Sequence, residues 1–397
     1  MEYNNFSFLM DSEIIFGRDT ENEAGRMVKK YGGTKVMVVY GSGSIIQNGL
    51  YDRVTDSLRK EGIKFRQFGG VKPNPLRSFA EQGVKAAMED GVDFILGVGG
   101  GSVIDTAKAI AFGVANSGDF WQFYLGKVPE KTIPVGTIVT IAASGSETSR
   151  SGVIVDDVET GQKKGLWSLF RPAFAIMNPE LTYTLPPYQT AAGCVDIFSH
   201  TFMRYFSNLP SYLADRLGEA SMQTIVKYAP IALKEPENYD ARAEILLTGS
   251  LSHSDLMFIG RLSSGKAGGE HALESQLSGF YNTTHGAGLA VLMPAMLSYF
   301  VLHGSEEHIA RVAQFAVSVF DVPHDAGNAT EKAKLGIARF SEWLRSLGMP
   351  STLSELGIPA EEIPSAIDRC IQARGTTIDG FLPLSPSAVK EIYKSIS

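Results

Sequence analysis

Strand-like and helix-like hydrophobic patterns alternate over the first half of the chain and stop alternating near Gln189. This change of period limits the fold more than any other feature. Val36-Met37-Val38-Val39-Tyr40 is a continuous apolar run of the kind a strand shows when both its faces are covered. It ends at Gly41-Ser42-Gly43-Ser44, and a helical pattern carrying Leu50, Tyr51, Val54 and Leu58 follows. Residues 63–68 predict a second strand and 79–88 a helix. Phe94-Ile95-Leu96-Gly97-Val98 predicts a third strand, which runs into Gly99-Gly100-Gly101-Ser102 and another helix. Strand, helix, strand in this rhythm predicts a Rossmann-like parallel sheet with helices on both faces. Shorter strand candidates are 133–141, 153–155 and 174–177.

The segment Thr184-Leu185-Pro186-Pro187 reads as a break. Beyond it helical periodicity dominates, with helix-ending signals at Gly260, Gly279, Pro294, Gly304 and Gly348-Met349-Pro350. The chain has 397 residues, more than the roughly 250–300 at which a single core stops growing. The expectation is an α/β dinucleotide-binding domain over 1–187 and an all-α domain over 188–397.

Composition removes several function classes. With 20% charged residues and a net charge of −7, basic runs no longer than two, such as Lys163-Lys164, cannot track a phosphate backbone, so no nucleic-acid partner is expected. Two cysteines, Cys194 and Cys370, are too few for a disulfide framework. Cys194 sits in an apolar run and reads as a buried thiol. The first residues lack a basic segment followed by a long apolar one. The expectation is that no stretch of about 18 or more uncharged apolar residues exists and nothing spans a membrane, so the reading is a cytoplasmic protein without a membrane partner.

Gly99-Gly100-Gly101-Ser102 lies between a buried strand and an amphipathic helix. Glycines let backbone approach a pyrophosphate, and a helix N-terminus presents free N–H groups and partial positive charge. Ser102 is placed to cap that helix and donate to phosphate. Asp105 is placed in its first turn, and Lys108 one turn later. A tight strand-to-helix turn would need no nucleotide, and the spacing is not G-x-G-x-x-G. The whole string VGGGSVIDTAK is more specific than its glycines alone. Gly41-Ser42-Gly43-Ser44 stands in the same position after the first strand.

Histidines are few, seven in all. Asp196 and His200 are spaced i, i+4 and share a helix face, as a metal clamp or as a simple Asp–His hydrogen bond. On one straight helix His271 and His285 would stand about 21 Å apart, too far to share an ion. A break at Gly279 or Asn282-Thr283-Thr284 would let them converge; otherwise they are separate capping or surface residues. His253, His303, His308 and His324 have no evident partners in the sequence. Three imidazoles and one carboxylate would make a four-ligand site for Fe²⁺ or Zn²⁺, with an open position for catalysis.

The chain resembles the iron-containing (group III) alcohol dehydrogenases, and within them the NADPH-dependent butanol dehydrogenase and broad aldehyde reductase branch. The resemblance rests on YGSGSIIQNG, KPNP, VGGGSVIDTAK, SGSETS, NPELTYTLPP, VDIFSH, KEPENYD and YNTTHGAGLAVLMPA, in order along nearly the whole chain. It implies a dehydroquinate-synthase-like fold, with the active site in a cleft between an α/β dinucleotide domain and an all-α metal domain. It implies metal ligation by Asp196, His200, His271 and His285. Cofactor contacts carry over onto Gly41, Ser42, Gly43, Ser44, Gly99, Gly100, Gly101 and Ser102, and Asp105, from its place in the helix that follows, is expected among the cofactor-binding residues. They carry over too onto Asn74, Thr140, Ser144 and one of Lys163 or Lys164. It also implies a homodimer. Many relatives carry a further His four residues after the third ligand, and here that position is Ser275.

The expected activity is hydride transfer between NADP(H) and short-chain alcohols or aldehydes such as butanol and butanal. The metal is Fe²⁺ or Zn²⁺, or Ni²⁺, Co²⁺ or Mn²⁺, since one ligand set binds them all. Leu256-Met257-Phe258-Ile259 is expected to line an apolar pocket. NADP(H) is expected to be preferred because neither 41–44 nor Phe68-Gly69-Gly70 holds an acid to repel a 2′-phosphate. An acid at Gly43 would supply that repulsion. Two alternatives share some of these features. A dehydroquinate-synthase-like lyase would need Arg and Lys near the metal for its polyanionic substrate. A non-catalytic metal- or nucleotide-binding module would tolerate a degenerate site, yet every ligand position and both loops are filled.

Overall fold

The computed structural model describes residues 5–209, 211–261, 269–374 and 377–397. By internal contacts the chain divides into two units, one of Leu9–Thr184 and one containing Leu185–Ser397.

The first unit is built on eight strands: β1 (Glu13–Phe16), β2 (Lys35–Tyr40), β3 (Lys64–Gly69), β4 (Phe94–Gly99), β5 (Val135–Val139), β6 (Ser151–Val155), β7 (Lys163–Trp167) and β8 (Phe174–Met177). Six form a wholly parallel sheet in the order β1-β8-β5-β4-β2-β3. Alternation along β2 explains the layers. Met37 and Val39 point into a core shared with helices Arg77–Glu89 and Gly101–Ala115. Val36, Val38 and Tyr40 point into a second core against helices Ala24–Lys30 and Leu50–Lys60. A strand with apolar residues on both sides is what the continuous run in its sequence requires. The chain leaves β2 toward β3 on one side and returns to β4 on the other, so strand order reverses between β2 and β4. Ligands of open α/β sheets bind outside the carboxyl ends of the strands at such a reversal.

Two features of this unit were not anticipated. β1 is an extra edge strand. The candidate at 153–155 does not join the parallel sheet: it is β6, paired antiparallel with β7 in a separate two-stranded ribbon. The pairing places Lys164 opposite Ile154 and Lys163 opposite Val155, so the two lysines point to opposite faces of the ribbon.

The second unit is mostly helical. Its core gathers Phe198, Phe202, Phe206, Phe315, Phe320 and Phe340, with ring centroids 4.6–6.4 Å apart in successive pairs. Two sequence signals are corrected here. Pro294 does not end a helix, because His285–His303 runs through it. Gly279 lies inside helix Glu270–Tyr281. A third correction concerns His285–His303, which by length and apolarity is long enough to cross a membrane. In the structure Leu289, Leu292, Met293 and Leu297 of this helix are buried, and it is a core element. Cys194 is buried, and burial pushes its thiol pKa up to about 12; the side chain of Cys370 lies outside the described residues.

Candidate functional site

In the helical unit, Pro187 starts helix Pro187–Tyr205 at the position where its missing N–H costs nothing. Nearly every later residue of that helix is buried, so Asp196 and His200 lie on its inward face, 7% and 5% exposed. Helix Glu270–Tyr281 carries His271 in its first turn. That helix stops where Asn282 adopts left-handed backbone (φ 51°). The chain turns there, and the next helix begins at His285 itself. Asn282, not Gly279, therefore breaks the 14-residue interval. Gly286 lets the new helix in: a Cβ there would sit 2.0 Å from the Ala192 carbonyl oxygen. Ala192 is one turn before Asp196, so this close approach brings His285 to the Asp196 carboxylate.

His200 Nε2 and His285 Nε2 each stand 3.6 Å from Asp196 Oδ1. Ligand atoms of Asp196, His200 and His271 lie within 4.8 Å of one another. The His271 and His285 rings are 5.3 Å apart. Donors about 2.0–2.2 Å from a tetrahedral ion stand about 3.4 Å from each other. The residues therefore fit a divalent cation in both donor type and spacing. Burial, with His253 and His271 nearby, drives the His200 pKa well below its ordinary value, leaving the neutral imidazole a metal requires.

Several neighbours were missed in the sequence. His253, read there as partnerless, stacks on His200 with rings 4.4 Å apart and 10° from parallel. His303 pairs with Glu391 at 2.7 Å, and His308 Nε2 lies 3.0 Å from the Phe381 carbonyl. Glu270 and Glu274 are both wholly buried. The Glu270 carboxylate lies 3.2 Å from His271 Nδ1, and that of Glu274 bonds His285 Nδ1. Arg204, one turn beyond His200, donates to the His200 carbonyl at 2.6 Å. Burial lowers the Arg204 pKa to about 9, with Asp255 and Glu270 opposing the shift. The signal available was an acid directly before the third ligand and another three after it, four apart and so on one face of the helix. Of the apolar run, Met257 is buried and Phe258 lies under the Arg204 guanidinium at 4.5 Å.

In the α/β unit, the loops after β2 and β4 stand at the two strands flanking the reversal. Gly41, Ser42 and Gly43 line an open cavity of about 380 Å³ with Tyr40, Ile46, Gln67, Gly69 and Gly70, and no acid is among these residues. Ser44 opens the short helix Ser44–Gln47 that follows. After β4, Gly100 precedes helix Gly101–Ala115. A Cβ on Gly101 would sit 2.4 Å from Ser144 Oγ, and one on Gly100 2.9 Å from Ile141. Thr140 N–H donates to Gly99 O at 3.0 Å. Gly99–Ser102, Thr140 and Ser144 thus meet at one helix N-terminus, a cradle only glycine backbone can form, and it suits a pyrophosphate. Asn74 adopts φ 53°, and the adjacent Pro75 carbonyl accepts the Val155 N–H at 2.8 Å. Val155 in turn pairs with Lys163, so this loop and the ribbon are joined.

Two readings of this loop change. Ser102 does not cap the helix; it is the second residue within it, and its carbonyl accepts from Thr106 Oγ. Asp105 lies beyond the first turn, and its carboxylate accepts from Ser146 Oγ (2.6 Å) and Val153 N–H (2.9 Å). Lys108, buried, donates to Ser146 Oγ and to the Ser149 and Ser151 carbonyls at 2.7–3.1 Å. Burial lowers its pKa to about 8 against the pull of Asp105. Asp105 and Lys108 therefore tie the helix to the 144–151 loop and the ribbon.

Both halves of the chain match known protein families. Residues 11–179 match the family model described as "Iron-containing alcohol dehydrogenase", and residues 190–397 match "Fe-containing alcohol dehydrogenase family, C-terminal". The chain is 37% identical to NADH-dependent butanol dehydrogenase B of Clostridium acetobutylicum, over 98% of each chain. It is 32% identical to the NADPH-dependent aldehyde reductase YqhD of Escherichia coli, over 99% of each. The crystal structure of NADH-dependent butanol dehydrogenase A from Thermotoga maritima superimposes with a TM-score of 0.91 at 34% identity, covering 100% of this chain and 99% of that one.

Proposed function

Because the chain belongs to the iron-containing alcohol dehydrogenase family, we propose that it interconverts short-chain aldehydes and alcohols, butanal and butanol among them, with NADP(H) and a divalent metal. The observation that carries the reading is the donor set: Asp196 Oδ1 between the Nε2 atoms of His200 and His285, at 3.6 Å each, with His271 beside them. Relatives named as butanol dehydrogenases and as an aldehyde reductase support the substrate class.

When bound, the metal draws electron density from the substrate oxygen and the dinucleotide supplies or takes the hydride. Reduction consumes one aldehyde, one NADPH and one proton, and yields one alcohol and one NADP⁺. The chain's own residues do the rest. Asp196, His200, His271 and His285 hold the ion. Gly99–Ser102 and the neighbouring Thr140 and Ser144 seat the pyrophosphate, and Asn74 with one of Lys163 or Lys164 contacts the same cofactor. Leu256 to Ile259 supply apolar surface for a short alkyl chain. With Ser275 in place of an imidazole, the proton reaches the oxygen through water or a cofactor hydroxyl.

The preference for NADP(H) rests on the acid-free lining of Gly41–Gly43 and Gly69–Gly70. An NAD-selective loop usually places a carboxylate on the ribose diol. Relatives carry both cofactors in their names, so the choice is made on this chain's own loop. The enzyme is proposed to act in the cytoplasm as a homodimer, which light scattering on the purified protein reads directly. The deciding experiment is an aldehyde panel after metal reconstitution, run with NADPH and with NADH. Turnover of butanal with the higher kcat/KM for NADPH is expected. No turnover of any aldehyde would sink the activity, and a higher kcat/KM for NADH would sink the cofactor choice.

A further inference from the structure

The helix Glu270–Tyr281 does more than carry His271. Its residues 270 and 274 are four apart, so both carboxylates leave the same face. Each ends on the Nδ1 atom of a different imidazole: Glu270 on His271 and Glu274 on His285. Both carboxylates are fully buried. Burying two carboxylates is costly unless they are paired or bonded. Glu274 is held in place by more than its histidine, since Ser278 Oγ donates to the same Oε2 at 3.1 Å. Room for it exists only because residue 288 is glycine: a Cβ there would stand 2.8 Å from Glu274 Cγ. Gly286 and Gly288, one admitting the helix and the other the carboxylate, set His285 between Asp196 and Glu274.

We propose that Glu270 and Glu274 are positioning residues for the metal centre, each holding one ligand histidine by its Nδ1–H so that Nε2 is presented to the ion. This rests on the reading of Asp196, His200, His271 and His285 as a divalent-cation site. A carboxylate behind an imidazole fixes the tautomer and the ring plane and makes the ligating nitrogen more basic. His285 needs this most. It is the first residue of its helix and is the more exposed of the two, 33% against 22% for His271. Arg204, and a dication when bound, would offset the charge of Asp196 and the two glutamates. One helix thereby orients two ligands, only one of which it carries.

The test measures Co²⁺ affinity of the purified full-length protein by competition with a chromophoric chelator, and records the visible spectrum of the Co²⁺ form. Wild type must bind one Co²⁺ per chain; failure there overturns the metal reading itself. Glu274→Ala is then expected to weaken Co²⁺ binding by about 10–100-fold and to shift the spectrum. Glu274→Gln, whose amide oxygen still accepts from Nδ1–H, is expected to fall between the two. Glu270→Gln is expected to weaken binding less than Glu274→Ala. Dinucleotide affinity should be unchanged throughout, which a general folding defect would not leave alone. Wild-type Co²⁺ binding together with affinity in Glu274→Ala within about threefold of it overturns the proposal. If that variant does not fold, an unchanged affinity and spectrum in the Glu270→Gln, Glu274→Gln double variant does so.

Discussion

On the proposed reading, the α/β unit and the helical unit hold a charged ligand in opposite ways. In the first, the work falls to backbone. Gly99, Gly100 and Gly101 stand where a Cβ would collide with Val103, Ile141 or Ser144, and the helix end behind them offers N–H groups. The charged side chains nearby, Asp105 and Lys108, are turned into the protein to hold the loops together. In the second, the work falls to side chains. Asp196, His200, His271 and His285 come from three helices, and buried Glu270, Glu274 and Arg204 stand behind them. A pyrophosphate is large and recognised by shape and dipole, so backbone suffices. A metal ion demands specific donor atoms at fixed distances, which only oriented side chains supply.

The contrast can be broken by four measurements. The largest effect is expected in the helical unit. His271→Ala should lose bound metal and at least about a thousandfold in kcat/KM, roughly 4 kcal/mol at about 1.4 kcal/mol per tenfold. Dinucleotide binding should persist, because the glycine cradle does not use that residue. Elemental analysis showing full metal with normal turnover would remove His271 from the site.

The second measurement concerns Lys108, the buried charge on the helix after β4. Lys108→Met deletes three hydrogen bonds and leaves Asp105 without its neighbouring charge. A buried acceptor left unsatisfied costs about 1–3 kcal/mol, so denaturant unfolding should register a loss of at least that order. Metal content should stay at the wild-type level. Wild-type stability in this variant would show that the Asp105–Lys108 network is dispensable.

The third concerns the ribose loop. Gly43 adopts φ 116°, where any L side chain is strained, so an acid at that position would confuse charge with backbone distortion. Ser42 lines the same cavity without that handicap. Ser42→Asp should lower the ratio of kcat/KM for NADPH over NADH by about tenfold, through repulsion of the 2′-phosphate. An unchanged ratio would mean that this loop does not read the ribose.

The smallest effect belongs to Ser275. Its hydroxyl donates to the Ala272 carbonyl one turn back along the helix. Ser275→Ala should cost less than about tenfold in kcat/KM. A hundredfold loss with metal retained would give Ser275 a direct part in proton transfer and weaken the division of labour drawn above.

Much of this molecule was legible before any tertiary structure. Hydrophobic period is a local property, so the alternation through β2, β3 and β4 and the helices between them could be read directly from residues such as Val36–Tyr40 and Phe94–Val98. So could the glycine loops, because strand, glycine and helix follow one another in the chain. The chemical identity of the four candidate ligands was also in the sequence, together with their resemblance to a known set. Their convergence was not. It depends on Asn282 turning left-handed, on Gly286 meeting the Ala192 carbonyl, and on Gly288 leaving room for Glu274, all contacts between segments distant in the chain or set by backbone conformation. The stacking of His253 on His200 and the seating of Glu270 and Glu274 against imidazoles belong to the same class. So does the turning of Lys163 and Lys164 to opposite faces, which follows from a strand pairing the periodicity did not reveal. Periodicity reports which face of an element is apolar. Which polar group lies against which, inside a packed core, is decided by how closely two backbones approach, and that is a property of the fold.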